Sequence, residues 1–316
     1  MPFISVIIPC YNAETTIVET LESLERQTFK DFEVICINDG STDRTLKLVE
    51  AFKSRSFLNM KILTQQNAGV SVARNRGMDE AVGEIIVFLD ADDKFRSNFF
   101  HEIYLGTQKG YDTIYGRKTI IEDELEKTTK LKSIERNRVQ TMDDFMYIKN
   151  KYCFPQFSYR REIINKYAIR FTPGARYGED WEFATKVLDH CKNNLELMYP
   201  VMFRRIIETS VMHKVTYNQV DAFQSAIRTE KWLSNHNSDF YEPFAAYMKH
   251  RALFSVLHVF AKNQAKDLFE RLINEYDIKS SMKALISNKK VKNSVKLAAT
   301  SYIISPWIFY NITGRR

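Results

Sequence analysis

The sequence predicts an α/β protein: a mostly parallel sheet flanked by helices, with a C-terminal helical module. Three observations predict it. Short apolar runs alternate with amphipathic stretches over the first hundred residues, a polar constellation follows each run, and beyond Asn218 the pattern is almost wholly helical. Strand and helix alternation of this kind implies a parallel sheet covered on both faces. In such sheets, ligands bind beyond the carboxyl ends of the strands.

Phe3 to Ile8, Phe32 to Ile37, Lys61 to Leu63 and Glu84 to Leu89 read as strands, the first stopped by Pro9. Between them Ile17, Leu21, Leu24 and Phe29 mark one helical face, and Leu46, Val49 and Phe52 mark a second. Tyr111 to Ile121 continues the domain in extended form, and the charged stretch Glu122 to Arg138 reads as a surface excursion. A helix is expected around Arg160 to Tyr167, another opens at Gly178-Glu179-Asp180, and strands lie near Leu195 to Arg205. Phe223 to Trp232, Phe244 to Phe260 and Ala265 to Tyr276 have helical apolar faces, and no glycine interrupts the chain between Gly178 and Gly314. The expected division is therefore a domain over residues 1–217 and a helical region over 218–316.

Each polar constellation falls at a strand end: Pro9-Cys10-Tyr11-Asn12, Asn38-Asp39-Gly40-Ser41-Thr42-Asp43, Asn67-Ala68-Gly69, and Asp90-Ala91-Asp92-Asp93. In the last, parallel carboxylates repel unless a cation sits among them. Oxygen-only ligands suit a hard divalent ion such as Mg2+ or Mn2+, which bridges to substrate phosphates. An acidic loop capping the next helix is the plainer reading. Asp39 suits a nucleobase or a ribose hydroxyl, or it simply belongs to a turn in which Gly40 tolerates unusual backbone angles and Ser41 or Thr42 caps a helix. Arg74 offers a fork for phosphate or for fixing the acidic loop. Tyr11 could lie against a base ring or serve packing.

These four motifs, in this order and spacing, closely resemble family 2 of the glycosyltransferases, which has the Rossmann-like GT-A fold. The resemblance continues through Phe157 to Glu162, Gly178-Glu179-Asp180-Trp181 and Phe203-Arg204-Arg205 to Ser210-Val211-Met212-His213, covering about the first two thirds of the chain. It implies that Asp39 contacts uracil or an equivalent base. Pro9, Tyr11, Asn12 and Asn67 would line the nucleotide site. Asp90 and Ala91 would touch the nucleotide-sugar region, and Asp92 would coordinate Mn2+ or Mg2+ on the diphosphate. Asp180 would be the catalytic base, with Glu179 and Trp181 beside the acceptor; a first-turn acid favoured by the helix dipole is the alternative for Asp180. Arg204 is the candidate for the diphosphate. His213 is a candidate metal ligand, against the commoner hydrogen-bonded structural histidine.

At 316 residues, with 44% hydrophobic and 27% charged side chains, the chain has the composition of an ordinary globular protein. Its net charge of +7 asks for an anionic partner. Cys10, Cys36, Cys153 and Cys191 are widely separated and read as reduced thiols, and the N-terminus is unlike a signal peptide. The expected compartment is the cytoplasm, with peripheral attachment at the inner face of the cell membrane. Lys289, Lys290, Lys292, Lys296, Arg315 and Arg316 flank an apolar tail, Val295 to Ile312, which Pro306 interrupts. That arrangement favours an anionic membrane surface over nucleic acid, with a homo-oligomer contact or closure of the protein's own core as alternatives. The expected function is inverting transfer of a hexosyl or N-acetylhexosaminyl group from a nucleotide-diphosphate sugar, such as a UDP-sugar, to a hydroxyl of a glycan or lipid-linked glycan. A non-catalytic nucleotide-sugar-binding subunit is a rival. A nucleotidyltransferase is less well supported, because no glycine-rich, lysine-containing loop follows the first strand.

Overall fold

Apolar runs and their flanking turns form a parallel sheet whose ends carry the polar motifs. The computed structural model describes residues 1–116, 119–121, 138–140, 156–197, 199–205 and 215–314. Strands β1 (Ile4–Cys10), β2 (Phe32–Asp39), β3 (Asn59–Gln65) and β4 (Ile85–Phe88) pair in parallel in the order β3-β2-β1-β4. Helices α1 (Ile17–Glu25), α2 (Thr45–Arg55) and α3 (Val70–Glu80) connect them. β2 is buried along its whole length and β1 nearly so, as expected of strands covered on both faces.

The strand order reverses at β1 and β4, so the loops after these two strands border the crevice where such sheets bind ligands. Pro9 does not stop β1, contrary to the sequence reading; the strand runs on to Cys10, paired through Pro9 with Ile37. The ladder to β4 ends at Ile7, and Pro9 points to that same side, so its missing N–H breaks no ladder bond. Helix α1 ends at Glu25, short of Phe29, which packs against the core and stacks on Tyr104.

Two smaller sheets extend this body. β5 (Lys94–Phe95) and β7 (Thr119–Ile121) flank β11 (Met202–Arg204), while β6 (Thr113–Gly116) and β8 (Arg138–Gln140) flank β10 (Asn194–Leu197). β9 (Ser158–Arg160) closes the main sheet antiparallel to β4. Helix α4 (Phe99–Gln108) and the short α5 (Arg161–Lys166) complete the described elements here. The expected surface excursion, residues 122–138, lies outside the described residues apart from Arg138.

Helix α6 (Glu179–Leu188) belongs to a second compact unit, with α7 (Asp221–Asn235), α8 (Tyr241–Lys262), α9 (Lys266–Glu275), α10 (Ile278–Ser287), α11 (Asn293–Ile304) and α12 (Pro306–Gly314). The division is interleaved. Met1–Thr141, Ile148–Gly174 and His190–Ile207 form one unit, while Met142–Tyr147, Ala175–Asp189 and Glu208–Arg316 form the other. It differs from a single change near residue 218 because α6 packs on α7: buried Glu182 pairs with Arg228 at 2.8 Å, and Ser238 binds Asp189.

The helical unit has its own apolar core, built by Leu257, Phe260, Phe269, Leu272, Met282 and Leu285. Asp277 starts α10 by accepting the Ser280 N–H at 3.0 Å. The apolar tail closes this core through Ala299, Tyr302, Phe309 and Tyr310. Among the described residues, no helix is long and apolar enough to cross a membrane.

Candidate active site

The acidic loop after β4 is held at three points. Arg74 donates to Asp90 Oδ1 at 2.9 Å. Thr16 and Thr20 donate to the Ala91 carbonyl at 2.9 and 3.0 Å, and the Asp93 N–H closes a turn on the Asp90 carbonyl at 3.1 Å. Thr16, the N-cap position of α1, and Thr20 on the helix stand four residues apart, about one turn, which is why both hydroxyls reach one carbonyl. Their spacing beside the apolar face of α1 is legible in the sequence, yet nothing local says what they bind.

Arg74 is buried, with its guanidinium 5.2 Å from the Phe171 ring centroid. Gly77, one turn later on α3, allows this close approach to the sheet, since a Cβ there would meet the Ile7 side chain at 2.4 Å. Asn75 locks the same region by exchanging two hydrogen bonds of 2.9 Å with the backbone of Phe171. Of the two uses foreseen for Arg74, the bond seen is the one that fixes the acidic loop.

Burial, then the neighbouring Asp90, pushes the Asp92 carboxyl up. Asp93 is more deeply buried, and burial followed by the Asp90 and Asp92 charges raises it to about 8. Arg204 opposes both shifts. Arg204 ends β11, whose partner β5 begins directly after the acidic loop, so strand pairing brings an exposed guanidinium to the carboxylates. Next to it Arg205 shares Glu19 with Lys94, the Arg205 bond being 2.5 Å and the Lys94 bond 3.2 Å.

Asp39 is buried at the end of β2 and organises the next loop. Its Oδ1 accepts from Gln65 Nε2 at 2.8 Å and from the Ala68 N–H at 2.9 Å, and its Oδ2 accepts from the Gly69 N–H at 2.9 Å. Asn67 itself is exposed. At the end of β1, Pro9 is half-buried, Tyr11 exposes its ring, and Asn12 has the left-handed φ of 47° tolerated by asparagine. The Asn12 side chain accepts the Thr42 N–H at 2.9 Å while its own N–H donates to Ser41 at 3.2 Å, tying the first two motifs together.

Glu179, Asp180 and Trp181 open α6 in the helical unit, all half-buried, and Asp180 Oδ1 accepts the Trp181 N–H at 2.7 Å. Glu182, in the same first turn, is the buried structural acid, bridged by Lys186 at 2.7 Å and by Arg228. His213 lies outside the described residues. Pro9, Tyr11, Asn12, Asp39, Asn67, Arg74, Asp90, Ala91, Asp92 and Arg204 all belong to the sheet-bearing unit.

A divalent cation is compatible with the acidic loop. Asp93 Oδ1 is buried with no hydrogen-bond partner, close to two further carboxylates, a costly arrangement that a cation relieves. Among the described residues, no group of three or more His, Cys, Asp or Glu side chains has the geometry of a finished metal centre. Carboxylates completed by waters and substrate phosphates are the usual manner of Mg2+.

Residues 5–168 match the model of glycosyl transferase family 2. The chain belongs to this family. The matched residues include the strands β1 to β4 and the four polar loops that follow the parallel strands. Among curated relatives, the uncharacterized glycosyltransferase EpsJ of Bacillus subtilis is 31% identical over 191 residues, 58% of this chain and 55% of that protein. The chain thus spans about half the length of that relative. The GalNAc(5)-diNAcBac-PP-undecaprenol beta-1,3-glucosyltransferase of Campylobacter jejuni is 26% identical over 302 residues, 90% of this chain and 92% of that one. Among solved structures, S. aureus TarS 1-349 in complex with UDP-GlcNAc superposes with a TM-score of 0.71 at 20% identity, covering 100% of this chain and 91% of that one. At that identity the likeness shows the fold, a GT-A sheet with helices on its faces and a helical C-terminal region.

Proposed function

We propose that the protein transfers a sugar from a nucleotide-diphosphate sugar, a UDP-sugar, to a hydroxyl of a glycan or lipid-linked glycan, with inversion and with a divalent metal. The observation that carries this reading is the acidic loop: a buried Asp93 oxygen without a partner, Asp92 beside it, and Arg204 opposite. Tyr11, exposed at the end of β1, supports a stacked base, and the loop ordered by Asp39 supports an edge contact. The TarS neighbour was seen with UDP-GlcNAc, and the Campylobacter relative is named for an undecaprenol-linked acceptor. Both support the substrate classes.

Asp92 and Asp93 would hold Mg2+ or Mn2+, which supplies positive charge to the leaving diphosphate when bound. Arg204 adds a second cation at the diphosphate oxygens. By the family resemblance, Asp180 would accept the proton of the acceptor hydroxyl as that oxygen attacks the anomeric carbon. The bond from that carbon to the diphosphate oxygen breaks on the opposite face, and its electron pair leaves with the diphosphate. One displacement inverts the anomeric configuration. Glu179 and Trp181 are assigned to the acceptor on the family resemblance.

A screen of nucleotide sugars for metal-dependent release of nucleoside diphosphate, with Asp180→Asn and Asp92→Asn beside the parent, tests the reading. Asp180→Asn should keep donor affinity and lose about 10²–10⁴-fold in transfer. Asp92→Asn and chelator should each abolish turnover. Full turnover in chelator, or normal transfer by Asp180→Asn, would overturn the corresponding assignment. Donor binding without transfer or hydrolysis under any condition would identify a non-catalytic binding subunit instead.

A further inference from the structure

The chain's positive charge is concentrated at one end. Residues 278–316 contain six lysines, Arg315 and Arg316, and no aspartate or glutamate. These eight exceed the net charge of +7, so the rest of the chain is close to neutral. The charge accompanies an unusual pair of helices. α11 and α12 are apolar on two faces: Ala299, Tyr302, Phe309 and Tyr310 are buried in the helical core, while Leu297, Ile304, Trp307, Ile308 and Ile312 are exposed. Leu297 is 72% exposed and Ile304, two turns along the same face, is 70% exposed. Ile308 and Ile312, one turn apart, continue an outward apolar face on α12. Lys289 and Lys292 stand exposed just before α11, Lys296 adjoins Leu297, and Lys266 lies 5.7 Å from the Trp307 ring centroid.

We propose that this outward face of α11 and α12 docks the protein on an anionic lipid bilayer, lying in the plane of the surface. The inference goes beyond the transferase reading and does not depend on it. Exposed aliphatic side chains and a tryptophan, with lysines before and at the start of α11, match the boundary of headgroups and acyl chains. A symmetric contact with a second copy would oppose this patch to itself, placing lysines against lysines with no acid in the segment to offset them. Single-stranded nucleic acid takes aromatic stacking platforms, whereas four of the five exposed apolar residues here are aliphatic. Neither helix can span the bilayer.

Co-sedimentation of the full chain with vesicles of phosphatidylcholine, with and without phosphatidylglycerol, tests the proposal. Anionic vesicles should bind and neutral ones should bind far less, with partial release as salt rises. Lys289→Gln, Lys292→Gln and Lys296→Gln should each weaken binding about fivefold at low salt, from about 1 kcal/mol per basic residue. Leu297→Ser with Ile304→Ser, both outward-facing and checked for an unchanged melting temperature, should weaken it about tenfold. Equal binding to neutral and anionic vesicles by the unaltered chain, or no binding to either, overturns the proposal whatever the variants do. A dimer in solution that the serine variant converts to monomer also overturns it, and assigns the face to a subunit contact.

Discussion

Replacing Arg74 by methionine tests how the acidic loop is held. The side chain is 5% exposed and its partner Asp90 is 36% exposed, with 2.9 Å between Nη2 and Oδ1. Two unit charges about 4 Å apart attract by about 4 kcal/mol at the effective dielectric of protein sites. Removing one partner of a fully buried pair costs about 3–5 kcal/mol, whereas an exposed pair is worth about 1 kcal/mol or less. Asp90 reaches solvent, so its released charge is partly screened, and about 2 kcal/mol is expected. Methionine keeps the stem packed against Phe171 but forfeits the cation over its ring.

The assay is urea unfolding of the parent, Arg74→Met, Asp90→Asn and the double variant, followed by a probe in the sheet-bearing unit, because two compact units need not unfold together. The double variant should be less destabilised than the sum of the singles by at least about 1 kcal/mol, since it leaves no unpaired charge. Donor affinity should fall in Arg74→Met because the loop loses its tether. A coupling below about 0.5 kcal/mol, with donor affinity unchanged, would refute the view that this ion pair positions the loop.

Asp93 makes metal-free stability pH-dependent. Its folded pKa of about 8 lies above the ordinary carboxylate value, so the native state holds a proton that the unfolded chain releases. This contribution is full below about pH 4 and is lost as pH rises through about 8. Asp93→Asn should flatten that decline in chelator; an unaltered pH profile would contradict the burial argument. Gly40→Ala should destabilise the sheet-bearing unit by more than about 1 kcal/mol, measured by urea midpoint. Its φ is +70°, and a Cβ would lie 2.7 Å from the backbone nitrogen of Asn67, so both strain and clash act on the loop that Asp39 orders.

Local sequence pattern carried the alternation of strands and helices, the four strand-end motifs and, through them, the family. These are local properties: apolar period reports which face is covered, and turn residues report where the chain leaves a strand. The strand-end positions of Asp39, Asp90 and Asp92 were legible in this way, as was the apolar run of the tail. Tertiary structure decided which partner each group meets. Arg74 could have faced phosphate or the acidic loop, and only the packing of α3 on the sheet placed it 2.9 Å from Asp90. Asp180 and Glu182 look alike in sequence, but contacts with Arg228, 46 residues away, made Glu182 the buried structural acid. Asp93 reads as one more loop carboxylate until burial strands its Oδ1. The tail's apolar residues were visible, yet the helical core had to form before one half of them was covered and the other left facing outward. Burial and pairing depend on segments distant along the chain, and no local period encodes them.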